Sequence, residues 1–304
     1  MEFEGLPEGS IADILSRTTP IDACRLSLVS KLFRSAADSD AVWERFLPSD
    51  YHSIISQSLL PNYPSKKALY LALSDHPVIL DQGKKSFQME KKSGKKCYML
   101  AARALSIVWG DTNEYWNWLR HPNSRFPEVA ILIEVCWLEI RGVLKTLTLS
   151  PDTKYAAYFV FKMINTHDFE DIFVELSVNF DGDHGSSKNV CLDPFDNDDD
   201  ERGAAGLQRP SVRSDGLLEI EMGEFFNIGI ENEVHMSVME VKEGTWKSGL
   251  VVEGIEVLLR GCRMLLAYFK HQPLNYGYSC LFLWKTMSDV VAGDKNRVVN
   301  GGKV

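Results

Sequence analysis

Residues 109–118 run Trp-Gly-Asp-Thr-Asn-Glu-Tyr-Trp-Asn-Trp, which sets Trp109, Tyr115, Trp116 and Trp118 within ten positions rich in loop formers. An indole offers a flat apolar face and one N–H donor. The C–H faces of a sugar ring stack on such a surface, and neighbouring Asp, Asn and Glu side chains can bind its hydroxyls. The same rings can equally fill a core, and composition alone leaves both readings open. Trp137, centred in an apolar run, reads as core.

The rest of the chain offers little for bond chemistry. The seven histidines are scattered, with no HExxH pair, and there is no Gly-rich phosphate loop or GxSxG elbow. Glu134, Glu139, Glu175, Glu219 and Glu221 could be combined into a glycosidase-type pair. In alternating strands, however, they fall on the expected solvent face. The six cysteines make no CxxC motif and are too sparse for a disulfide scaffold. The acidic stretch from Asp193 to Glu201 lacks the spaced ligands and the glycine of a calcium loop. No catalytic residue, metal or cofactor is expected.

Length and charge point the same way. At 304 residues, 45% hydrophobic and 25% charged, the chain has the make-up of a globular protein of two modules. A formal net charge of −9 disfavours nucleic acid as a partner. No secretory signal, N-glycosylation sequon or ~20-residue apolar span is found, so residence outside the secretory pathway is expected.

The elements that must carry these residues change character along the chain. Ile11, Ile14 and Leu15 make one stripe of a short helix, and Leu26, Val29 and Phe33 mark a helix from Ile21 to about Ala36. Asp38-Ser39-Asp40 offers N-caps for a third helix with Val42, Trp43, Phe46 and Leu47, closed by Pro48. A unit of ~45 residues buries little surface alone and needs a partner or neighbouring domain. Residues 49–95 read as a partly helical connector, with a helix at 65–73 and a polar stretch at 80–96 whose lysine pairs make a solvated surface. From Cys97 the period becomes two. Strands are expected at 129–140, 155–161, 171–180, 218–222, 235–241 and 250–258, the pattern of an antiparallel sandwich. The predicted class is α+β multidomain, a helical unit followed by a jelly-roll-like β-sandwich.

Two resemblances sharpen this. Leu6-Pro7-Glu8-Gly9-Ser10-Ile11, the run from Asp22 to Lys31 and Val42-Trp43-Glu44 resemble an F-box over residues 1–48. Residues 96–260 resemble the phloem protein 2 domain of plants, the Nictaba-like lectins. The matching pieces run from Gly94 to Arg103, then Ile107-Val108-Trp109-Gly110-Asp111, Tyr115-Trp116 and Glu134 to Ile140. Later come Arg213-Ser214-Asp215-Gly216, Gly223-Glu224-Phe225-Phe226 and Gly249 to Glu256. The chain departs from the pattern at Leu217-Leu218, where many members carry a tryptophan after Asp-Gly, and in its acidic insert before Arg202. Residues 261–304 do not match and read as an atypical tail, of the kind an alternative or mispredicted splice would add.

The F-box resemblance implies docking to the Skp adaptor of a cullin-RING ubiquitin ligase, through Leu6, Pro7, Ile11, Leu15, Leu26, Val29 and Trp43, some of which serve internal packing. The lectin resemblance implies binding of N-acetylglucosamine oligomers and N-glycan cores at Trp109 and Trp116, with Tyr115 and Trp118 beside them. Together they imply a non-catalytic substrate-recognition subunit of a Skp–cullin–F-box ligase, in cytoplasm and nucleus, that captures glycoproteins. The alternative is a receptor whose sandwich binds protein targets and has lost sugar binding. A free lectin outside any ligase and a glycan-processing enzyme are the remaining rivals.

Overall fold

The computed structural model describes residues 6–58, 60–164, 169, 172–180, 186–194 and 207–261. The acidic stretch beyond Pro194 and the atypical tail beyond Gly261 lie outside these residues. Six helices come first: α1 (Glu8–Ser16), α2 (Pro20–Leu26), α3 (Lys31–Asp38), α4 (Asp40–Phe46), α5 (Tyr51–Ser56) and α6 (Lys66–Asp75). Their starts are written in hydroxyl caps. Thr19, Ser30, Ser39 and Ser65 accept backbone N–H groups from Asp22, Phe33, Ala41 and Ala68. The single helix expected from Ile21 to Ala36 is therefore two. Ser30 adopts an extended backbone (φ −156°, ψ 168°) and caps α3, which breaks the turn that apolar spacing alone would continue.

Ile11 and Leu15 of α1, Ala36 of α3 and Val42 and Trp43 of α4 make the centre of the helical unit. Trp43 donates its indole N–H to Ala37 O (2.6 Å), and its ring lies 5.1 Å from that of Tyr70 in α6. This interior does not stop at the helices. It is continuous with the core of the sandwich. Tyr70 donates its hydroxyl to Lys91 O (3.1 Å), Gln88 donates to Ser74 O (2.8 Å), and Ile21 N donates to Lys92 O (3.3 Å). Gly94, at φ +73°, takes the left-handed backbone region, and a Cβ there would also press on the carbonyl oxygen of Phe46.

The strands are β1 (Val78–Leu80), β2 (Lys85–Met89), β3 (Lys96–Ala101), β4 (Ser106–Ile107), β5 (Trp116–Leu119), β6 (Val129–Leu132) and β7 (Leu138–Lys145). They continue with β8 (Thr153–Met163), β9 (Phe173–Phe180), β10 (Ser186–Cys191), β11 (Ser211–Val212), β12 (Leu218–Asn227), β13 (Glu233–Glu240) and β14 (Leu250–Leu259). Nine form one sheet, ordered β1-β2-β3-β14-β8-β12-β11 with the β5–β6 pair attached to β14. The other five run β10-β9-β13-β7-β4. All strand pairs are antiparallel, and their inward faces meet in one core, as expected for the sandwich class.

Two expectations change. Residues 80–96, expected as a polar connector, supply β2 with Phe87 and Met89 fully buried, because Ser86 and Gln88 alternate with these core residues on a strand held between β1 and β3, where even the polar pair is buried. The strand expected over 129–140 is two, β6 and β7, joined by a link at 133–137. Gly254 permits the bulge in β14: a Cβ there would overlap the carbonyl oxygen of Leu100 on β3.

The outer face of the large sheet carries a buried charge network. Glu256 of β14 accepts from Arg213 (2.7 Å) and Arg125 (3.0 Å), and Glu253 accepts from Ser124 (2.8 Å). Burial alone would raise the Glu256 carboxyl, but the two guanidinium groups outweigh it and hold it below its ordinary value. Burial pushes the Glu253 carboxyl up. A depressed carboxyl contributes stability above its unfolded pKa and loses it as pH falls through the folded value. Glu256→Gln is therefore expected to cost about 3–5 kcal/mol in urea unfolding at neutral pH, as for a broken buried ion pair, and progressively less in acid.

Candidate functional site

The 109–118 segment folds in two halves with different destinations. Ile107 pairs with Ile140 across β4 and β7, and Val108 N donates to Glu139 O (3.0 Å), which lays the start of the segment along β7. The chain then reverses in successive turns: Gly110 N donates to Ile107 O, Thr112 N to Trp109 O and Tyr115 N to Thr112 O. Trp109 takes the left-handed backbone region (φ 57°), which is uncommon for so large a residue. Its ring is 43% exposed and lies 5.2 Å from that of the half-buried Tyr115.

The second half is strand β5, where side chains alternate. Trp116 and Trp118 share the inward parity, while Asn117 and Leu119 face out. Trp116 is 1% exposed, set opposite Leu132 on β6, and its indole N–H has no hydrogen-bond partner among the described residues. The position expected to stack on sugar is therefore a core residue, because strand parity turns it inward. Trp118 donates its indole N–H to Gly110 O (2.7 Å), and its ring face is taken by the Arg103 guanidinium at 3.6 Å, itself paired with Glu128 (2.8 Å). Trp118 thus holds the Trp109 turn in place.

Two further tryptophans stand at the same end. Trp137, expected in the core, is 42% exposed on the 133–137 link. Leu138, Ile140 and Leu144 point inward on β7, so the odd positions face out, and correct register in the sequence would have marked Trp137 as surface. Its indole N–H donates to Glu139 Oε2 (2.9 Å), and Arg141 pairs with the same carboxylate (2.7 Å). These two donors hold the Glu139 carboxyl below its ordinary value. Trp246, 55% exposed, lies in a turn-rich segment that sequence patterning left unassigned.

Backbone hydrogen bonds tie the three segments together. Ile133 N donates to Tyr115 O (2.9 Å), and Val135 and Lys247 exchange both N–H···O bonds (3.0 and 2.8 Å). Trp109, Tyr115, Trp137 and Trp246 therefore belong to adjoining loops, with Glu139 among them. Among the described residues, no His, Cys, Asp and Glu group gathers into a metal site, and no helix is long and apolar enough to cross a membrane. Two of the other expected carboxylates have cationic partners of their own: Glu219 pairs with Arg213 and Glu221 with Arg260.

The helical residues assigned to an adaptor also divide. Leu6, Pro7 and Val29 are exposed, with Val29 at 68%, and Leu26 is half-buried. Ile11, Leu15 and Trp43 are internal. Ile14 and Leu28, at 48% and 58%, are exposed apolar side chains that the assignment omitted.

A capped helical unit fused to an antiparallel sandwich with an aromatic end defines a two-module, non-repetitive protein of α+β class. Its two modules match known families: the F-box domain over residues 3–45 and phloem protein 2 over residues 95–259. The chain is similar to three Arabidopsis thaliana proteins. With F-box protein PP2-B10 it shares 45% identity over 84% of this chain and 93% of the relative. With putative F-box protein PP2-B12 the identity is 46%, over 84% and 98%. With F-box protein SKIP3 it is 39%, over 84% and 87%. The chain belongs to the F-box proteins that carry a phloem protein 2 domain.

Trp116→Ala is expected to cost about 3–5 kcal/mol in urea unfolding, the range for deleting a buried aromatic. Trp109→Ala should stay within about 0.5 kcal/mol, as an exposed substitution does. The comparison tests which indole is structural.

Proposed function

We propose that this chain is the substrate-recognition subunit of a Skp–cullin–F-box ubiquitin ligase, and that its sandwich captures targets through carbohydrate containing N-acetylglucosamine. The observation that carries the reading is that each of the two modules exposes apolar side chains where its family's partner would bind. Leu6, Ile14, Leu28 and Val29 are exposed on the helical unit, as a helical adaptor surface would require. Trp109 and Tyr115 stand on the sandwich, where they offer stacking faces. The family's F-box supports the first assignment and its phloem protein 2 domain the second.

In this role the chain performs no bond chemistry. It raises the effective concentration of a bound target beside the ligase, which converts ubiquitin transfer into a local event. Work in the cytoplasm and nucleus fits such a receptor. A second reading, in which the sandwich recognises protein, is favoured by one feature: Trp116 is buried and the face of Trp118 is taken by Arg103, so fewer rings are open than the lectin resemblance implied.

Co-purification with a Skp adaptor should be lost in Leu28→Asp/Val29→Asp, while the chain stays folded and its glycan binding is unchanged. In a tryptophan-fluorescence titration of the full chain with N-acetylglucosamine oligomers, Trp109→Ala should weaken saturable quenching by tenfold or more. Adaptor binding without any glycan binding would select the protein-reading receptor.

A further inference from the structure

The most unusual charge placement in the sandwich lies directly behind the two tryptophans that sequence patterning did not assign to the site. Lys247 is fully buried, and its ammonium is paired with the buried carboxylate of Glu240. The remaining ammonium donors go to the backbone carbonyls of Cys136 (3.2 Å) and Thr245 (2.7 Å). These are the residues immediately before Trp137 and Trp246. Glu240 also accepts from the backbone N–H groups of Lys242 (3.0 Å) and Glu243 (2.9 Å), which closes the turn leading to Trp246. One ion pair therefore fixes the chain on which both exposed indoles are carried.

A buried ion pair contributes little net stability compared with an apolar pair of the same volume, because both ions lose their water. What this pair does is geometric: it holds the 133–137 link and the 241–248 loop in one register. The Trp137 ring is fixed a second time, through its N–H on Glu139 Oε2, while Arg141 orients that carboxylate. Glu139 keeps lone pairs free to accept hydroxyl donors. The adjoining link donates Ile133 N to Tyr115 O, so its backbone is tied to the segment that carries Trp109 and Tyr115.

We propose that Trp137 and Trp246 are further sugar-stacking residues, with Glu139 as a hydroxyl acceptor beside Trp137. Trp137 and Trp246 would then set how affinity grows with the length of the oligosaccharide. Lys247 and Glu240 are positioning residues for this extended face. The proposal rests on the carbohydrate reading of the aromatic end.

The test is titration of the full chain with N-acetylglucosamine and with its dimer, trimer and tetramer. Wild type should gain affinity with length. Trp137→Ala and Trp246→Ala should each weaken trimer and tetramer binding about tenfold and leave monosaccharide binding within twofold. Trp109→Ala should weaken all lengths. The uncharged replacement Glu240→Gln/Lys247→Met should keep the fold and the monosaccharide affinity but lose the gain with length, a readout that a merely structural pair would not move. Glycan binding by wild type with equal affinity for all lengths, or unchanged oligomer binding in both tryptophan variants, would overturn this proposal while leaving the carbohydrate reading intact. Absence of binding to every glycan by folded wild type would overturn both.

Discussion

The structure depends on one shared interior. The F-box helices have too few large apolar residues to close a core, and they borrow the missing wall from the sandwich. Tyr70 is the pivot: its ring packs on Trp43 and Phe46 of the helical unit, and its hydroxyl donates to the backbone that follows β2. Burial raises this hydroxyl well above the ordinary tyrosine range, so it remains a donor at any physiological pH. Lys96, at the start of β3, adds an ion pair to Asp50 between α4 and α5. The lysine-rich segment, expected as solvated surface, thus includes a residue that ties the two modules together.

This coupling bears on function. A receptor that works by proximity benefits from a fixed vector between its adaptor-binding surface and its target-binding surface, since a flexible joint dilutes the effective concentration. Here the polypeptide between the F-box and the domain fold is not a tether. It forms α5, α6, β1 and β2, and the last of these carries fully buried side chains into the common core.

At the far end of the chain's chemistry, charge is used as a fastener. Arg213, Arg125 and Glu256 pin the 120–128 segment and the turn at 213–217 over the outer face of the large sheet, where Leu217 and Phe126 complete a small second cluster. Leu217 stands at the place where many family members carry tryptophan, and it is buried there, so the departure changes packing and not an exposed ring. Lys247 and Glu240 fasten the aromatic end in the same way. Both networks are buried, and in both the charged groups find several partners, which is the condition under which ions are tolerated inside a protein.

Periodicity and motif carried the sequence a long way. The alternation of Val174, Leu176 and Val178, and of Leu218, Ile220 and Met222, reports strands because one face of each must be buried, and those strands are present. The F-box and phloem protein 2 domain were legible because their residues recur in order along the chain, a property of one dimension. What the sequence left undecided is which aromatic faces water. Trp116 and Trp137 have the same chemistry, and their sequence neighbours mislead: polar loop formers surround the first and an apolar run the second. Strand parity and the break at 133–137 send the first inward and the second outward. The occupation of Trp118 by Arg103 and the burial of Lys247 belong to the same class. Each is set by which backbone runs alongside, and only the tertiary structure brings residue 103 to residue 118, or residue 247 to residue 136. Composition and spacing determined the family and the architecture. The surface open to a ligand was decided by the three-dimensional packing, because exposure depends on neighbours distant in sequence.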